Sequence, residues 1–141
     1  MSKYGFRELF VWQRAKELAV NIYKATEHGA LDKDWGLKDQ LRRSAVSVPS
    51  NIAEGDERET DRESVRFFYI AKGSLGELVT QIEIAKDVGH LSQEEISPLL
   101  SQCTEIGKML GSLIKTRSRF RFKTGLFLLT LTLCLTTHFL L

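Results

Sequence analysis

The side chains that could do nucleophilic or metal chemistry are few in this chain of 141 residues. Its histidines are His28, His90 and His138, and its cysteines are Cys103 and Cys134. A helical bundle that holds two metal ions needs inward carboxylates and two Glu-x-x-His pairs, and the sequence contains no such pair. We therefore expect no metal site and no cofactor.

Catalysis by a nucleophile has equally little support. Cys103 lies on the apolar seam of a predicted helix, so we interpret it as a small core residue and not as a reactive thiolate. The sequence has no glycine-rich phosphate loop and no Gly-x-Ser-x-Gly motif. Ser47, Asn51 and Glu54 share a polar face, but no base or oxyanion arrangement follows from their spacing. The prediction is a protein that is not an enzyme.

Cations are the remaining candidates, because basic side chains neutralise phosphates and release counterions. The candidate nucleic-acid contacts are Lys38, Arg42 and Arg43 in one group and Lys115, Arg117, Arg119 and Arg121 in another. Phe120 and Phe122 alternate with the second group and offer rings for base stacking. Six basic residues and no acidic one lie between Lys108 and Thr124; without these six, 14 basic residues face 18 acidic ones, a net charge of −4. The basic charge is therefore concentrated near the C-terminus.

Each basic group also has a structural interpretation. The second group fits a solvated helix end, where cations are favoured by the helix dipole. Arg42 and Arg43 could instead form salt bridges with Glu54 or Glu77. The sequence leaves these alternatives open.

The helix predicted around Gln40–Gly55 carries an apolar stripe beside a polar one. The polar stripe consists of Gln40, Ser44, Ser47, Asn51 and Glu54. This stripe is either a solvated surface or a contact with another subunit or a ligand. Pro49 interrupts the hydrogen-bonding pattern at a cost of ~3 kcal/mol, and we expect the helix to continue through it with a bend. Ser47 or Ser50 can satisfy backbone groups near the bend.

Four amphipathic helices are predicted in all. They run from about Arg7 to His28, from Trp35 to Gly55, from Asp61 to Val88, and from the Ser92 capping box to between Thr116 and Arg119. Asp34 caps the second helix, and Thr60 with Glu63 forms a capping box at the third. Short links predict an all-α, antiparallel, up-down-up-down four-helix bundle.

Glycines inside these helices predict close neighbours. Gly73 and Gly76 each cost ~1 kcal/mol relative to alanine in mid-helix, so we expect another helix to pack closely there. Cys103, Gly107 and Gly111 form a second row of small residues. Four aromatic residues are left over by the core seams and indicate a partner surface: Phe10, Tyr23, Phe67 and Tyr69.

Three motifs carry a family resemblance. Residues 40–44 read QLRRS and residues 46–55 read VSVPSNIAEG; FREL with VWQ and Ala15 precede them, and AKGSL with EL follows at residues 71–78. This pattern closely resembles the four-helix-bundle proteins encoded in intervening sequences of bacterial large-subunit ribosomal RNA genes, from about Tyr4 to Arg119. Gly29-Ala30 departs from it, since the family usually has Phe-Pro there.

The resemblance implies a four-helix bundle that assembles into a ring of five like subunits. The family is also similar to accessory bundle proteins that assist retroelement reverse transcriptases and bind both nucleic acid and enzyme. We therefore expect a homopentamer that binds RNA or DNA. The alternative is an oligomeric scaffold or accessory subunit that recruits a protein partner.

The resemblance ends before the tail, so we divide the chain into a bundle, residues 1–120, and an extension, residues 121–141. The tail from Gly125 to Leu141 is uncharged and apolar. It is an appended segment without a dedicated role, a membrane anchor preceded by basic residues, or a helix or strand packed on the bundle. No secretory signal opens the chain and two cysteines make no disulfide framework, so a reducing cytoplasm is expected, with a tail-anchored location as the alternative.

Overall fold

Helices make up the regular structure of the described chain. A computed structural model describes the backbone of residues 5–138 and the side chains of residues 5–118. A short 3₁₀ helix, Gly5–Glu8, precedes five α-helices: α1 (Phe10–Ala25), α2 (Gly29–Lys33), α3 (Trp35–Asp56), α4 (Asp61–Asp87) and α5 (Gln93–His138). No strand occurs between residues 5 and 138. The all-α prediction is confirmed.

The four long helices are held by the apolar stripes that the sequence predicts. α1 packs against α3 and α5, and α4 packs against the same two helices. The stripes of α3 and α4 meet in one core, in which the fully buried positions include Leu41, Ile52, Phe68, Leu78 and Ile82. The spacings of three and four along α5 predict Leu110 and Leu113 as its last core positions, but Ile114 is buried there and Leu113 only partly so.

The segment after α1 differs from the prediction of one helix to His28. α1 ends at Ala25: Thr26 is its C-cap, with φ −94° and ψ 3°, and the Thr26 hydroxyl donates a hydrogen bond to the Tyr23 carbonyl. Gly29 has a positive φ of 67° and begins the one-turn α2 instead of ending a helix. The link folds back against the core in this way because the Leu31 side chain is fully buried there. The predicted helix end at His28 is therefore wrong.

The helix starts follow the predicted capping residues. Asp34 accepts a hydrogen bond of 3.1 Å from the backbone N–H three residues later and opens α3. Thr60 accepts from the backbone N–H of Glu63 at 3.3 Å and opens α4. Ser92 and Glu95 form a reciprocal box, in which each backbone N–H donates to the other side chain. These local signals place three helix starts correctly.

α3 continues through Pro49, as predicted, and the proline is buried. Just after it, the Ser50 hydroxyl donates to the Val46 carbonyl at 2.8 Å, and Asn51 donates to the Ser47 carbonyl at 2.9 Å. These bonds supply extra polar contacts to the turn around the proline. The bend itself stays a prediction.

α5 extends to His138, beyond the end predicted between Thr116 and Arg119. No proline follows Pro98, and Gly125 is the single glycine after Gly111, so nothing in the sequence breaks the helix. The side chains of the tail lie outside the described residues. Among the residues that the structure does describe, no helix combines the length and the apolar character that crossing a bilayer requires.

The glycines in the helices fall into two kinds. A Cβ on Gly55 would lie 2.6 Å from a ring carbon of buried Phe68 and 3.0 Å from the Ser64 carbonyl oxygen. A Cβ on Gly73, Gly76 or Gly111 would meet nothing within 4 Å, and at Gly107 it would make an ordinary contact. The close approach predicted at Gly73 and Gly76 is therefore absent within the described part of one chain.

This contrast predicts opposite effects of alanine on stability. Gly55→Ala should lower the free energy of unfolding by about 1–3 kcal/mol, because Phe68 and the α4 backbone must shift. Gly73→Ala and Gly76→Ala should each raise it by up to ~1 kcal/mol through helix propensity. Urea unfolding of the three variants measures this difference, and equal effects at Gly55 and Gly73 would contradict it.

Candidate nucleic-acid interface

The first basic group is largely engaged inside the protein. The Arg42 Nε atom donates to the Thr26 hydroxyl at 2.8 Å, and the guanidinium lies 4.4 Å from the centre of the Tyr23 ring. Its Nη2 atom is 4.0 Å from a carboxylate oxygen of Glu27. Arg42 thus joins α3 to the end of α1. The predicted partners Glu54 and Glu77 are not used, because Arg42 faces α1.

Lys38 and Arg43 differ sharply in exposure. The Lys38 Nζ atom lies 2.6 Å from an oxygen of Asp32, and this hydrogen bond lowers the pKa of the Asp32 carboxyl. Lys38 also lies over the Trp35 ring. The Arg43 side chain is 75% exposed and has only a loose ion pair, 3.9 Å, with Asp39. Within the first group, Arg43 is the side chain available to an external anion.

Arg117 in the second group forms a partly buried ion pair. Its Nη2 atom donates to Asp56 at 2.7 Å, and its Nη1 atom lies 3.6 Å from Asp61. The Asp56 side chain is only 6% exposed. Arg117 therefore ties α5 to the turn between α3 and α4. Lys115 is exposed and makes no contact of this kind among residues 5–118.

The side chains of Arg119 and Arg121 lie outside the described residues. The two groups are far apart in one chain. Arg117 contacts Asp56, the last residue of α3, and Arg42 lies 14 residues earlier in the same helix. At 1.5 Å per residue this separation is about 21 Å. The structure therefore does not join the two basic groups into one patch.

The middle of the predicted polar stripe packs against α4. The Ser44 hydroxyl donates to the Gln81 amide oxygen at 2.6 Å, and the Ser47 and Ser74 hydroxyls are 2.8 Å apart. Asn51 donates to the Ser47 hydroxyl at 3.0 Å. These residues form a polar contact between two helices of one chain. A solvated surface is therefore wrong for this part of the stripe, whose contact is with α4 of the same chain.

The ends of the stripe are exposed. Gln40 faces solvent, and Glu54 forms an ion pair with Arg58, whose guanidinium lies 4.5 Å from the centre of the Phe67 ring. A shallow cleft of about 410 Å³ lies beside Glu54. The cleft is lined by Phe6, Ser50, Ala53, Glu54, Glu57 and Arg58. Its charged lining residues are Glu54, Glu57 and Arg58, of which Glu54 and Arg58 form the ion pair.

Some polar contacts had no signal in the sequence. His90 lies 3.0 Å from the Asp34 carboxylate, and 56 residues separate the two. The backbone N–H of Leu37 and the His90 hydrogen bond together lower the pKa of the Asp34 carboxyl. Arg14 donates to Glu105 at 2.8 Å, which joins α1 to α5. Such pairs depend on how the helices are rotated against each other, which local patterns do not specify.

Neither a reactive thiol nor a metal-binding cluster occurs among the described side chains. Cys103 is buried in the core, and burial raises the pKa of its thiol to about 11, so it stays protonated near neutral pH. Across the described part of the chain, no three His, Cys, Asp or Glu side chains are placed to hold a metal ion. Cys134 lies outside the described side chains.

Comparison with known proteins identifies the family. A solved structure from Bacteroides thetaiotaomicron, of a protein with unknown function from the S23 ribosomal protein family, is 26% identical to this chain. The match covers 74% of this chain and 98% of the other, with a TM-score of 0.69. No curated protein matches the chain. Residues 7–112 match the family model of the 23S rRNA-intervening sequence protein, so this chain belongs to that family.

Proposed function

We propose that this protein is a non-catalytic, self-assembling helical bundle that binds RNA in the cytoplasm. The observation that carries the proposal is the run of six cations and no acid between Lys108 and Thr124. In the described part of this run, Lys108 and Lys115 are exposed and make no ion pair. Cations that pair with no acid among the described residues are available to phosphates.

We infer that the four long helices form the antiparallel bundle expected from the sequence. The contacts between α3 and α4 support this arrangement, since Ser44 meets Gln81 and Ser47 meets Ser74, so one sequence position rises as the other falls. α4 and α5 behave similarly: Arg117 meets Asp61, and a Cβ on Gly107 would meet Leu75. The bundle would comprise residues 1–120, with residues 121–141 as an extension.

Self-assembly is supported by apolar side chains that the core leaves exposed. Phe10 is 60% exposed and Tyr23 is 40% exposed, both on α1. On α3 and α4, Val46 and Ile84 are exposed as well. Aromatic and other apolar side chains are enriched in the buried centres of protein interfaces. Five subunits in a ring, each using two different faces, would cover side chains of this kind on more than one side of the subunit.

Light scattering tests the ring. A chain ending at Arg119, which lacks the apolar tail, should give about five times the monomer mass, as the resemblance to ring-forming bundle proteins implies. Phe10→Ser should reduce that mass, because this side chain is 60% exposed and contributes little to the subunit core. A monomer at micromolar concentration would remove the ring.

The RNA-binding proposal is tested by recovering the full-length protein from cells with and without nuclease, and sequencing the bound nucleic acid. The proposal expects RNA that is enriched over the lysate and released by salt, because phosphate contacts depend on counterion release. Protein recovered free of nucleic acid at low salt would contradict it. DNA in place of RNA would correct the class of nucleic acid.

A scaffold that recruits a protein partner is the second candidate. Exposed Phe10 and Tyr23 favour it, because aromatic residues are enriched in protein interfaces. In the same recovery experiment, this function predicts a defined protein that stays bound after nuclease treatment while no RNA is present. A partner that is lost with the RNA would favour the RNA-binding function.

A further inference from the structure

Two arginines on α4 differ from the other arginines whose side chains are described. Eight arginines lie within residues 5–118. Six of them contact an acid or an aromatic ring: Arg7, Arg14, Arg42, Arg43, Arg58 and Arg117. Arg62 and Arg66 are exposed and make no ion pair, hydrogen bond or ring contact within those residues. They are the arginines that nothing in the described chain engages.

The two arginines share one face of α4 with an exposed aromatic residue. Arg62 and Arg66 are four residues apart, Tyr69 follows three residues later, and Gly73 four residues after that. Residues at these spacings are neighbours on a helix surface. Tyr69 is 57% exposed, and the space above Gly73 is open. This face, Arg62 to Gly73, therefore presents two free cations, an exposed ring and accessible backbone. We name it the α4 face.

Helix stability does not account for the α4 face. Arg62 lies in the first turn of α4, where the helix dipole disfavours a cation. Like charges four residues apart also destabilise a helix slightly. The two acids next to Arg62 in the sequence have other partners. Asp61 lies near Arg117, and Glu63 is hydrogen-bonded with Thr60, the N-cap residue of α4. These residues are better explained by an external anion than by the fold.

We propose that the α4 face binds single-stranded RNA, with Arg62 and Arg66 on phosphates and Tyr69 stacked on a base. The proposal rests on the RNA-binding function above and locates it on the molecule. Arg62 and Arg66 are about 6 Å apart along the helix axis and can contact neighbouring phosphates. An aromatic ring beside cations is the arrangement that binds single strands without sequence preference.

The α4 face lies at the same end of the molecule as the C-terminal basic run. Arg117 contacts Asp61, the residue directly before Arg62, and Lys115 lies half a turn earlier in α5. Lys115 therefore points away from α4, so the α4 face and the exposed α5 cations are separate contact points for an RNA. An acidic peptide would also be attracted by Arg62 and Arg66, but it has no base to stack on Tyr69. The exposed ring is why we favour RNA.

Fluorescence anisotropy with a labelled, mixed-sequence, single-stranded RNA tests the arginines in the full-length protein. Arg62→Gln with Arg66→Gln should weaken binding by about tenfold or more, and should reduce the salt slope of log K by about 1.4. The matched control is Lys24→Gln with Lys33→Gln, which removes the same charge from exposed positions that make no ion pair in the described chain. The control should change binding much less.

Tyr69 is tested with two substitutions. Tyr69→Ala should weaken RNA binding by about 5- to 150-fold, as stacking measurements imply, whereas Tyr69→Phe keeps the ring and should bind like the wild type. Circular dichroism and light scattering on the same samples should be unchanged. A fall in oligomer mass would instead place the α4 face in a subunit contact and overturn the proposal.

The remaining outcomes separate this site from the proposed function. If the wild type binds no RNA, the proposed function fails and this site fails with it. If the wild type binds and the Arg62/Arg66 variant binds as well as the lysine control, the site is wrong and the function stands. If a polyglutamate peptide competes with the RNA equally well at equal charge, the face recognises acidic chains and the stacking role of Tyr69 is wrong.

Discussion

The Leu78→Asp variant is expected to lose most or all of its stability at room temperature. Leu78 is completely buried at the centre of α4, with its side chain in the core formed with α3 and α5. An ionised carboxylate there would lose its hydration without gaining a partner, which costs several kcal/mol. Most domains of this size are stable by only about 5–15 kcal/mol, so this change removes much or all of that margin.

Circular dichroism and thermal melting measure the effect, and Thr80→Asp serves as the control. Thr80 is on the same helix and exposed, so its replacement should change the free energy of unfolding by less than about 0.5 kcal/mol. If Leu78→Asp kept the helicity and melting temperature of the wild type, Leu78 would not lie on the buried face of α4.

Arg117→Met should lower the free energy of unfolding by about 3 kcal/mol, because removing one partner of a buried ion pair leaves the other charge uncompensated. That remaining charge is Asp56, whose side chain is 6% exposed and 2.7 Å from Arg117. Because Arg117 is itself partly exposed, the loss of stability should not exceed about 3 kcal/mol. Urea unfolding gives the value.

Lys115→Met is the matched control, because Lys115 is a neighbouring exposed cation of α5 that makes no ion pair within the described residues. It should leave stability nearly unchanged. Asp56→Asn combined with Arg117→Met should recover part of the loss, since the buried charge is then gone. Equal stability of the Arg117 and Lys115 variants would contradict the structural role of Arg117.

The elements that sequence predicted well are those with local signals. The capping residues Asp34, Thr60 and Ser92 each act on backbone groups within three residues, so their type and position suffice. The core stripes can also be predicted from sequence, because residues three and four apart share a helix face. Leu78 lies on such a stripe. These features need no knowledge of neighbouring helices.

The candidate site was harder to predict because its side chains contact partners that are far away in the sequence. The sequence grouped Arg42 with Arg43, yet α3 turns Arg42 toward Tyr23 and leaves Arg43 in solvent. Arg117 was grouped with free cations, although it pairs with an aspartate 61 residues away. Which cation is free depends on the rotation of each helix in the packed structure. The sequence therefore identifies the cations, but it does not distinguish those that form ion pairs within the subunit from those that are free to bind an external anion.

The same limit explains the polar stripe and the α4 face. Ser44 and Gln81 are 37 residues apart, so their contact between α3 and α4 has no local signal. Arg62, Arg66 and Tyr69 do have a local signal, because spacings of four and three place them on one helix face. That signal indicates a binding site only when the packed structure shows that no other side chain engages the two arginines. The open space above Gly73 also appears only in the packed structure.

The salt dependence of RNA binding by the full-length, wild-type protein tests the central claim most directly. Each phosphate contact to a single strand contributes about −0.7 to the slope of log K against log salt concentration. Contacts through Arg62, Arg66 and the exposed α5 cations predict a slope of about −2 or steeper, and steeper still if several subunits engage one RNA. Absence of binding at low salt, or binding with a slope near zero, would contradict recognition of RNA by these cations.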